Sequence, residues 1–438
     1  MPNIERNRAS YWMPFTGNRE FLKNPRIFAS AAGMFYQTAD GREILDASSG
    51  LWCSTLGHGH PAVTEAIRVA AGKLDYAPAF QIGHPLAFEL AERIARIMPE
   101  GLEHVFFTNS GSEAVDTALK IALAFHRLRG QGGRTRLIGR VNGYHGVGFG
   151  GMSVGGMVKN RRTFGPLLAG IDHLPHTHNL EKNAFSRGQP AWGAHLADEL
   201  EGLIALHDAS TIAAVIVEPV AGSAGVFVPP QGYLQRLREI SNRHGILLIF
   251  DEVITAFGRL GTASAAEKFT VKPDIITIAK GMTAGTVPMG GVVANREIYD
   301  TFMQQQETGV ELFHGYTYSA HPLACAAGMA VMQVYQEDGI FGRAATLSPY
   351  LEDAVHSLRG APHVVDVRNL GMMSGIELAP HPDGAGVRGH ELFLRGLDAG
   401  VFYRVNGDIV AIAPPLVCER THIDLAVSKL RGILAQLA

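Results

Sequence analysis

The stretches Ile246-Leu247-Leu248-Ile249-Phe250-Asp251 and Ile275-Ile276-Thr277-Ile278-Ala279-Lys280 are two apolar runs that each end in a charged residue. Continuous apolar runs of this length are typical of parallel strands buried on both faces. A third run, from Ile212 to Val217, ends in the same way at Glu218-Pro219. Because open α/β sheets bind ligands beyond the carboxyl ends of their strands, we expect these three charged residues to converge at one edge of a sheet.

A carboxylate and an amine at neighbouring strand ends are the two groups that pyridoxal phosphate (PLP) chemistry requires. The carboxylate keeps the pyridine nitrogen protonated, and the lysine forms a Schiff base. We therefore predict PLP as the cofactor, with Asp251 and Lys280 as the catalytic residues. The alternative is that Lys280 is a solvated lysine at the end of a strand, as most lysines are. The presence of several polar groups at the ends of different strands favours the cofactor site.

Composition excludes several classes of partner. The chain has 438 residues, of which 46% are apolar and 18% charged, with a net charge of -3. This balance is typical of a globular protein and gives no electrostatic reason to expect nucleic acid or an anionic membrane as a partner. No stretch is apolar over the roughly 18 residues that a membrane span needs. Cys53, Cys325 and Cys418 form no CxxC pair, so we expect no disulfide framework and a cytoplasmic location.

The order of the predicted elements indicates an α/β protein with an additional smaller domain. Between about residues 64 and 310, apolar strands alternate with helical periods, which is typical of a mostly parallel sheet. Shorter strands follow, with a hairpin around Asn406-Gly407 and a last amphipathic helix over 423–437. We expect an N-terminal segment at 1–60, a large domain at 61–320 and a C-terminal α+β part at 321–438.

Ser110-Gly111-Ser112-Glu113 follows a strand and begins a helix. Free backbone N–H groups and the helix dipole at such a position make a site for a phosphate. The same residues also form an ordinary S-x-x-E capping box, which alone would explain them. The phosphate interpretation therefore depends on the other predicted site residues.

The glycine loop from Gly146 to Gly151 formally matches GxGxxG, and Asp172 follows at about the expected distance. An NAD-dependent oxidoreductase is therefore an alternative interpretation of this sequence. The next residues, from Met152 to Gly156, are not expected to form a helix, which disfavours a dinucleotide site. Tyr144 is better suited to stack on a cofactor ring.

Histidines at positions 173, 176 and 178 lie close together in the sequence, as do those at 58 and 60. No nearby carboxylate or cysteine completes a set of ligands, and both segments are expected to be loops. Satisfied or solvated histidines explain them better than a metal site, so we predict no metal.

Several of these motifs carry a resemblance to a known family. Six stretches, in the same order and with similar spacing, resemble the class III aminotransferases: Phe107-Thr-Asn-Ser-Gly-Ser-Glu-Ala-Val-Asp116, Gly143-Tyr-His-Gly146, Val217-Glu-Pro219, Phe250-Asp-Glu-Val-Ile254, Ala279-Lys-Gly281 and His314-Gly-Tyr-Thr-Tyr-Ser319. Three more resemble the ω-amino acid:pyruvate (β-alanine:pyruvate) transaminases of that class: Tyr11-Trp-Met-Pro-Phe-Thr16, Gly50-Leu-Trp-Cys53 and Gln189-Pro-Ala-Trp-Gly-Ala-His195. The resemblance spans nearly the whole chain.

The resemblance implies a fold type I PLP-dependent transferase, with a large, mostly parallel α/β/α domain and a small α+β domain built from both termini. It implies transfer of an amino group from an ω-amino acid such as β-alanine, or from a primary amine, to pyruvate, giving an aldehyde or ketone and L-alanine. It further implies a homodimer with shared active sites, or a dimer of such dimers.

The resemblance also implies roles for individual residues. Lys280 would be the Schiff-base lysine and proton shuttle, and Asp251 would bind the pyridine nitrogen. The remaining cofactor-binding residues would be Ser110, Gly111, Ser112, Tyr144, His145, Glu218, Val253 and Thr317, the last from the partner subunit. The substrate pocket would comprise Phe15, Trp52, Phe80, Tyr144 and Arg404, with Arg404 binding the carboxylate of pyruvate. Ile409 and Ala413 stand where relatives often carry polar residues, so a plain amine could be the preferred donor.

Three alternatives remain open on the sequence alone. A racemase, aminomutase or decarboxylase on the same fold would keep Lys280 and Asp251 and differ in its pocket. An oxidoreductase would need the glycine loop to bind NAD. A binding protein without catalytic activity would not need a lysine and a carboxylate placed in this way.

Overall fold

A seven-stranded sheet forms the centre of the fold in the computed structural model, which describes residues 10–165, 167–304 and 309–437. Its spatial order is β4-β10-β9-β8-β7-β5-β6. The strands are β4 (Leu102–Thr108), β5 (Arg136–Arg140), β6 (Ile171–Leu174), β7 (Ile212–Val217), β8 (Leu247–Asp251), β9 (Ile275–Ile278) and β10 (Gly290–Asn295).

The sheet is mostly parallel, as predicted. Strands β7, β8 and β9 are consecutive parallel neighbours, and β5 continues the parallel arrangement to β6. Only β10 runs antiparallel to both of its neighbours, β9 and β4, within the described sheet. The carboxyl ends of the three central strands therefore lie side by side.

The sheet lies between two apolar layers. Leu248 and Phe250 of β8 belong to one buried cluster, whereas Leu247 and Ile249 belong to another. This alternation follows because successive side chains of a strand point to opposite faces. The α/β/α layering expected for the large domain is thus observed.

The chain forms helices on both sides of this sheet and around the smaller sheets. They are α1 (Asn18–Lys23), α2 (Ser49–Trp52, irregular), α3 (Pro61–Lys73), α4 (Pro85–Ile97), α5 (Gly111–Leu128), α6 (Phe149–Val154), α7 (Val158–Arg162), α8 (Leu180–Asn183), α9 (Glu199–His207), α10 (Gly222–Gly225), α11 (Tyr233–His244), α12 (Ala265–Phe269), α13 (Arg296–Met303), α14 (Pro322–Glu337), α15 (Ile340–His356), α16 (Val387–Asp398) and α17 (Arg420–Leu434).

Two four-stranded sheets make up the rest of the strand structure among the described residues. The first has the order β1-β2-β3-β13, with β1 (Phe28–Ala32), β2 (Phe35–Thr38), β3 (Glu43–Asp46) and β13 (Val401–Phe402). Strand β13 pairs in parallel with β3, so segments from both ends of the chain share one sheet. The second is antiparallel, with the order β11-β12-β15-β14: β11 (Val364–Leu370), β12 (Met373–Leu378), β14 (Arg404–Asn406) and β15 (Ile409–Ile412).

The segment after the glycine loop, from Met152 to Gly156, differs in part from its prediction. A six-residue helix, α6, begins at Phe149 in the segment where no helix was expected. Asp116 of α5 explains it, because its Oδ1 accepts the N–H of Gly151 at 2.8 Å. A Cβ on Gly148 would lie only 2.3 Å from the carboxylate of Asp116, so glycine is needed for this contact. A tertiary contact thus overrides the weak helix propensity of the segment.

The last helix also differs from its expected bounds. It begins at Arg420 rather than at 423, because Glu419 and His422 form a reciprocal cap around its first turn. Residues 1–9 of the expected N-terminal segment lie outside the described ranges. Within those ranges, no helix combines the length and the apolar character needed to cross a membrane.

Candidate active site

The three charged residues at the strand ends meet at one edge of the central sheet. Asp251 is the last residue of β8, Glu218 follows β7, and Lys280 begins a 3-10 turn (Lys280–Thr283) just after β9. They are close because β7, β8 and β9 are adjacent parallel strands, in which Val217 pairs with Phe250 and Asp251 with Thr277. The convergence expected from the apolar runs is therefore present.

The carboxylate of Asp251 is held by donors from three directions. Its Oδ2 accepts a hydrogen bond from Nδ1 of His145 at 2.8 Å. Its Oδ1 accepts from the hydroxyl of Thr277 and from the N–H of Val253, both at 3.1 Å. All of these groups except Val253 are buried. The carboxylate thus has a single orientation, and His145 carries its ring proton on Nδ1.

Nε2 of His145 has no hydrogen-bond partner among the described residues, although the ring is buried. A buried ring nitrogen without a partner is uncommon in a structure where it serves only for packing. The unpartnered atom and the bond to Asp251 together place His145 within the polar network of the site.

Glu218 holds the backbone at two other positions, Tyr144 and Gly222. Its carboxylate accepts the N–H of Tyr144 at 2.8 Å and that of Gly222 at 3.1 Å. Burial raises the pKa of Glu218 to about 7, and the negative charge of Asp251 adds to the effect. The Tyr144 segment is therefore tied directly to the end of β7.

Lys280 has a strained backbone and a lowered pKa. Its φ of 45° lies in the left-handed region, which residues other than glycine rarely adopt. Burial lowers the pKa of Lys280, and the negative charge of Asp251 opposes this effect. A lysine with a lowered pKa holds more of its amine in the neutral, nucleophilic form.

The first turn of α5 contains the predicted cap and leaves the donors of the predicted anion site unused by it. The hydroxyl of Ser110 accepts the N–H of Glu113 at 3.2 Å, and the carboxylate of Glu113 accepts the N–H of Asn109 at 2.7 Å. Helix geometry leaves the N–H groups of Gly111 and Ser112 without acceptors inside the helix. The cap therefore uses the Ser110 side chain and leaves two backbone donors for an anion.

The chain approaches this helix end so closely that only glycine fits at two positions. A Cβ on Gly111 would lie 2.8 Å from Cγ1 of Val253. A Cβ on Gly146, whose φ is 86°, would lie 2.4 Å from Oγ of Ser112. The Ser112 hydroxyl accepts the N–H of Val147 at 3.1 Å and keeps its own proton for another acceptor. Backbone donors for a phosphate, an oriented carboxylate and a lysine with a lowered pKa are the groups that PLP needs, so these residues fit that cofactor.

The predicted substrate residues divide into two groups. Arg404 and Tyr144 are close, because the guanidinium charge acts to lower the pKa of Tyr144 against the stronger effect of burial. Trp52 is buried, and the neighbouring Cys53 packs near the Lys280 turn, since a Cβ on Gly285 would lie 2.9 Å from that of Cys53. These residues border the polar network.

Phe15 and Phe80 form the second group, which lies on the surface of the described chain, as does Thr317, a predicted cofactor-binding residue. Phe15 is 80% exposed and Phe80 is 57% exposed. Thr317 is also exposed, and its carbonyl accepts a hydrogen bond from the hydroxyl of Tyr76 at 3.2 Å. Their expected roles in the site remain predictions.

The two departures from the family pattern occupy apolar positions. Ile409 packs on a small buried cluster of Ala221, Ala224 and Phe227. Ala413 is fully buried, and its N–H donates to the carbonyl of Ala47 at 2.8 Å. Ala413 therefore serves the packing between the two ends of the chain.

The histidine segments require a correction. His173 lies in strand β6 rather than in a loop, and tertiary folding brings Asp366 and Glu377 close to His178. Carboxylates distant in sequence can therefore complete a set of ligands, contrary to the prediction. Arg368 already binds both of them, at 2.5 Å and 2.7 Å, so the cluster contains its own cation.

Sequence reasoning missed two residues that position Asp251. Thr277 lies opposite Asp251 in the register of β9 and β8, and a lone threonine within an isoleucine run was the available signal. Glu252 is fully buried and accepts the N–H groups of Ala265 and Ala266 at the start of α12. It anchors the residue after Asp251 to that helix, and no local pattern indicates this partner.

Comparisons with known proteins show which family the chain resembles in sequence. A family model described as aminotransferase class-III matches residues 17–434. An omega-aminotransferase from Caulobacter vibrioides is 59% identical over 438 residues, which is 100% of each chain. A beta-alanine–pyruvate aminotransferase from Pseudomonas aeruginosa is 51% identical over 424 residues, covering 96% of this chain and 94% of that protein.

Solved structures are equally similar in fold. An (S)-enantioselective omega-transaminase from Thermomicrobium roseum superposes with a TM-score of 0.92 at 32% identity, covering 99% of this chain and 97% of that one. An amine transaminase from an uncultivated Pseudomonas species, described in its PLP-bound form, gives a TM-score of 0.91 at 36% identity, covering 98% and 99%.

Proposed function

The chain belongs to the class-III aminotransferases, a family of PLP-dependent enzymes, and on that premise we propose that it transfers an amino group from an ω-amino acid such as β-alanine, or from a primary amine, to pyruvate. The products are the aldehyde or ketone of the donor and L-alanine. The observation that carries the proposal is the meeting of Lys280, Asp251 and Glu218 at adjacent strand ends, with Asp251 bonded to His145.

The residues proposed to bind the cofactor follow from the hydrogen-bond donors of the site. The N–H groups of Gly111 and Ser112, with the Ser112 hydroxyl, would bind the phosphate of PLP. Val253, Tyr144 and Glu218 would hold its ring. When bound, PLP supplies an electrophilic aldehyde and a pyridinium ring that accepts the electrons of a broken C–H bond.

Two residues do the proton chemistry in this proposal. Lys280 would hold the cofactor through Nζ and, once the donor amine has taken its place there, its released amine would move the proton of the donor carbon. Asp251 would keep the pyridine nitrogen protonated, because an oriented carboxylate stabilises a neighbouring cation. His145 keeps that carboxylate in place and stabilises its charge through the 2.8 Å bond.

Arg404 is the proposed carboxylate-binding group. Its guanidinium is half-buried on the edge strand β14 and forms no hydrogen bond or ion pair within the part of the chain that the structure describes. A guanidinium can hold a carboxylate with two parallel charge-assisted bonds. Pyruvate and ω-amino acids carry such a group, whereas simple amines do not.

We infer that the enzyme is a homodimer with shared active sites. Thr317 lies among exposed aromatic side chains, with Tyr318 58%, Phe80 57% and Tyr76 40% exposed. A surface rich in exposed aromatic residues is typical of an association site. A second copy seated there brings Thr317 to the phosphate of the neighbouring subunit and covers Phe80.

The three free cysteines support a cytoplasmic location.

A donor panel tests the substrate class. β-Alanine, 4-aminobutyrate, putrescine and 1-phenylethylamine are each offered with pyruvate, and L-alanine is quantified. We expect alanine to form in equal amount with the carbonyl product of the donor. A racemase or aminomutase would isomerise its substrate without consuming pyruvate, and that outcome would contradict the proposal.

A further inference from the structure

Two buried hydroxyl groups form a hydrogen-bonded chain that ends on the residue after Lys280. The hydroxyl of Tyr335 donates to the carbonyl of Gly281 at 2.6 Å. Because that proton is used, the hydroxyl of Thr55, which lies 2.5 Å from the Tyr335 oxygen, must be the donor between the two. Both side chains are buried, and burial raises the pKa of Tyr335, so its hydroxyl stays protonated.

These two hydrogen bonds join three separate parts of the sequence. Thr55 belongs to the N-terminal segment, Gly281 to the turn after β9, and Tyr335 to helix α14. The carbonyl of Thr55 also accepts the N–H of Leu416 at 2.7 Å. The turn that carries Lys280 is therefore tied to the segments packed on it from both ends of the chain.

The turn needs such support because its backbone is strained. Lys280 and Ala284 both have positive φ, at 45° and 48°. Residues other than glycine keep this conformation only where the surrounding structure holds them in it. Within the turn, the carbonyl of Gly281 accepts just one backbone bond, from the N–H of Ala284 at 3.2 Å. The bond from Tyr335 is the shorter of the two on that oxygen.

We propose that Tyr335 and Thr55 are positioning residues for Lys280. Together they hold the Lys280–Gly281 peptide in the left-handed conformation in which the lysine bonds PLP. The inference rests on the proposed role of Lys280. Neither hydroxyl touches the reacting atoms, and their effect passes through the backbone of the turn.

The experiment measures attachment of PLP to the PLP-free full-length protein. Borohydride is added at intervals after PLP, and the fraction of protein modified on Lys280 is read by intact mass and peptide mapping. The variants are Tyr335→Phe and Thr55→Val, each of which removes one hydroxyl with little change of shape. Thr55→Ser restores the hydroxyl, and Lys280→Ala gives the background from other lysines.

Tyr403→Phe is the matched control. Tyr403 is also fully buried, and its hydroxyl donates to a backbone carbonyl, that of Ala426, at the same 2.6 Å. Removing the Tyr403 hydroxyl should lower thermal stability about as much as removing the Tyr335 hydroxyl. The carbonyl that loses its donor in that variant lies on α17, which is distant in sequence from the Lys280 turn. Melting temperatures of the PLP-free proteins establish that match.

We expect Tyr335→Phe and Thr55→Val to slow attachment about tenfold, the factor that corresponds to about 1.4 kcal/mol. Thr55→Ser and Tyr403→Phe should attach PLP at close to the wild-type rate. Equal slowing by Tyr335→Phe and Tyr403→Phe, or no slowing by Thr55→Val, overturns the inference. Site-specific modification that persists in Lys280→Ala would instead refute the assignment of Lys280 itself.

Discussion

Replacing Arg404 by alanine should separate substrates that carry a carboxylate from those that do not. The guanidinium lies half-buried on an edge strand, and burial lowers the pKa of Arg404 although Tyr144 opposes this. A partly desolvated cation without a protein partner has lost some of its hydration without gaining an ion pair. The carboxylate of pyruvate supplies that partner in the proposed complex.

The size of the effect follows from the bond that is lost. Removing a hydrogen bond to a charged group costs about 1.5 to 3 kcal/mol, which is about a 10- to 150-fold loss in kcat/KM for pyruvate. The half-reaction with 1-phenylethylamine has no such bond to lose and should change much less. Arg404→Lys should fall between wild type and alanine, because an ammonium group cannot reproduce the bidentate geometry.

The two half-reactions are followed separately by stopped-flow absorbance of the cofactor. One uses 1-phenylethylamine with the PLP form, and the other uses pyruvate with the aminated form. Arg96→Ala is a suitable control, since it removes a cation whose ion pair with Glu92 is exposed on α4. It should alter both half-reactions by little, because exposed ion pairs contribute little.

Equal losses with both substrates would refute this reasoning. Arg404 would then support the structure, and carboxylate selection would have to be sought elsewhere. A loss confined to 1-phenylethylamine would contradict the assignment even more directly.

Four further outcomes are expected. Lys280→Ala should abolish conversion of pyruvate to alanine while the circular dichroism spectrum stays unchanged, and near wild-type turnover would contradict the assignment. Asp251→Asn should retain PLP after dialysis but slow the half-reaction strongly, since a neutral amide does not stabilise a protonated ring nitrogen; an unchanged stopped-flow rate would count against it. Because burial lowers the pKa of Lys280, its amine becomes neutral at a lower pH than that of an exposed lysine. The rate of PLP attachment should therefore rise with pH and reach its plateau below pH 10.5. A rate that still increases above that pH would argue against a lowered pKa. Tyr318→Glu should weaken the dimer in sedimentation and lower PLP retention, whereas Leu206→Glu, at a residue 72% exposed on α9, should do neither.

Local sequence was sufficient to predict the central part of the site. The runs before Asp251 and Lys280 are continuous in the sequence, and a buried parallel strand must deliver its last residue to the edge of the sheet. The S-x-x-E pattern at Ser110 likewise predicted both a cap and a helix end, and the structure contains the cap. Each of these signals spans only a few consecutive residues.

Contacts between distant segments were not accessible in the same way. The bond between His145 and Asp251 joins residues 106 positions apart, and that between Thr55 and Tyr335 joins residues 280 positions apart. Helix α6 forms against its own propensity because Asp116 of another helix accepts one of its N–H groups. None of these partners has a local pattern that would single it out.

The sequence by itself therefore determined the fold class and which charged residues stand at the strand ends. The tertiary structure decided how those groups are oriented and held: the single orientation of Asp251, the strained turn of Lys280, and the position of Arg404, whose guanidinium has no hydrogen bond or ion pair among the described residues. The physical reason is that periodicity and capping are properties of neighbouring residues, whereas hydrogen-bond geometry and desolvation depend on every segment that packs around a group.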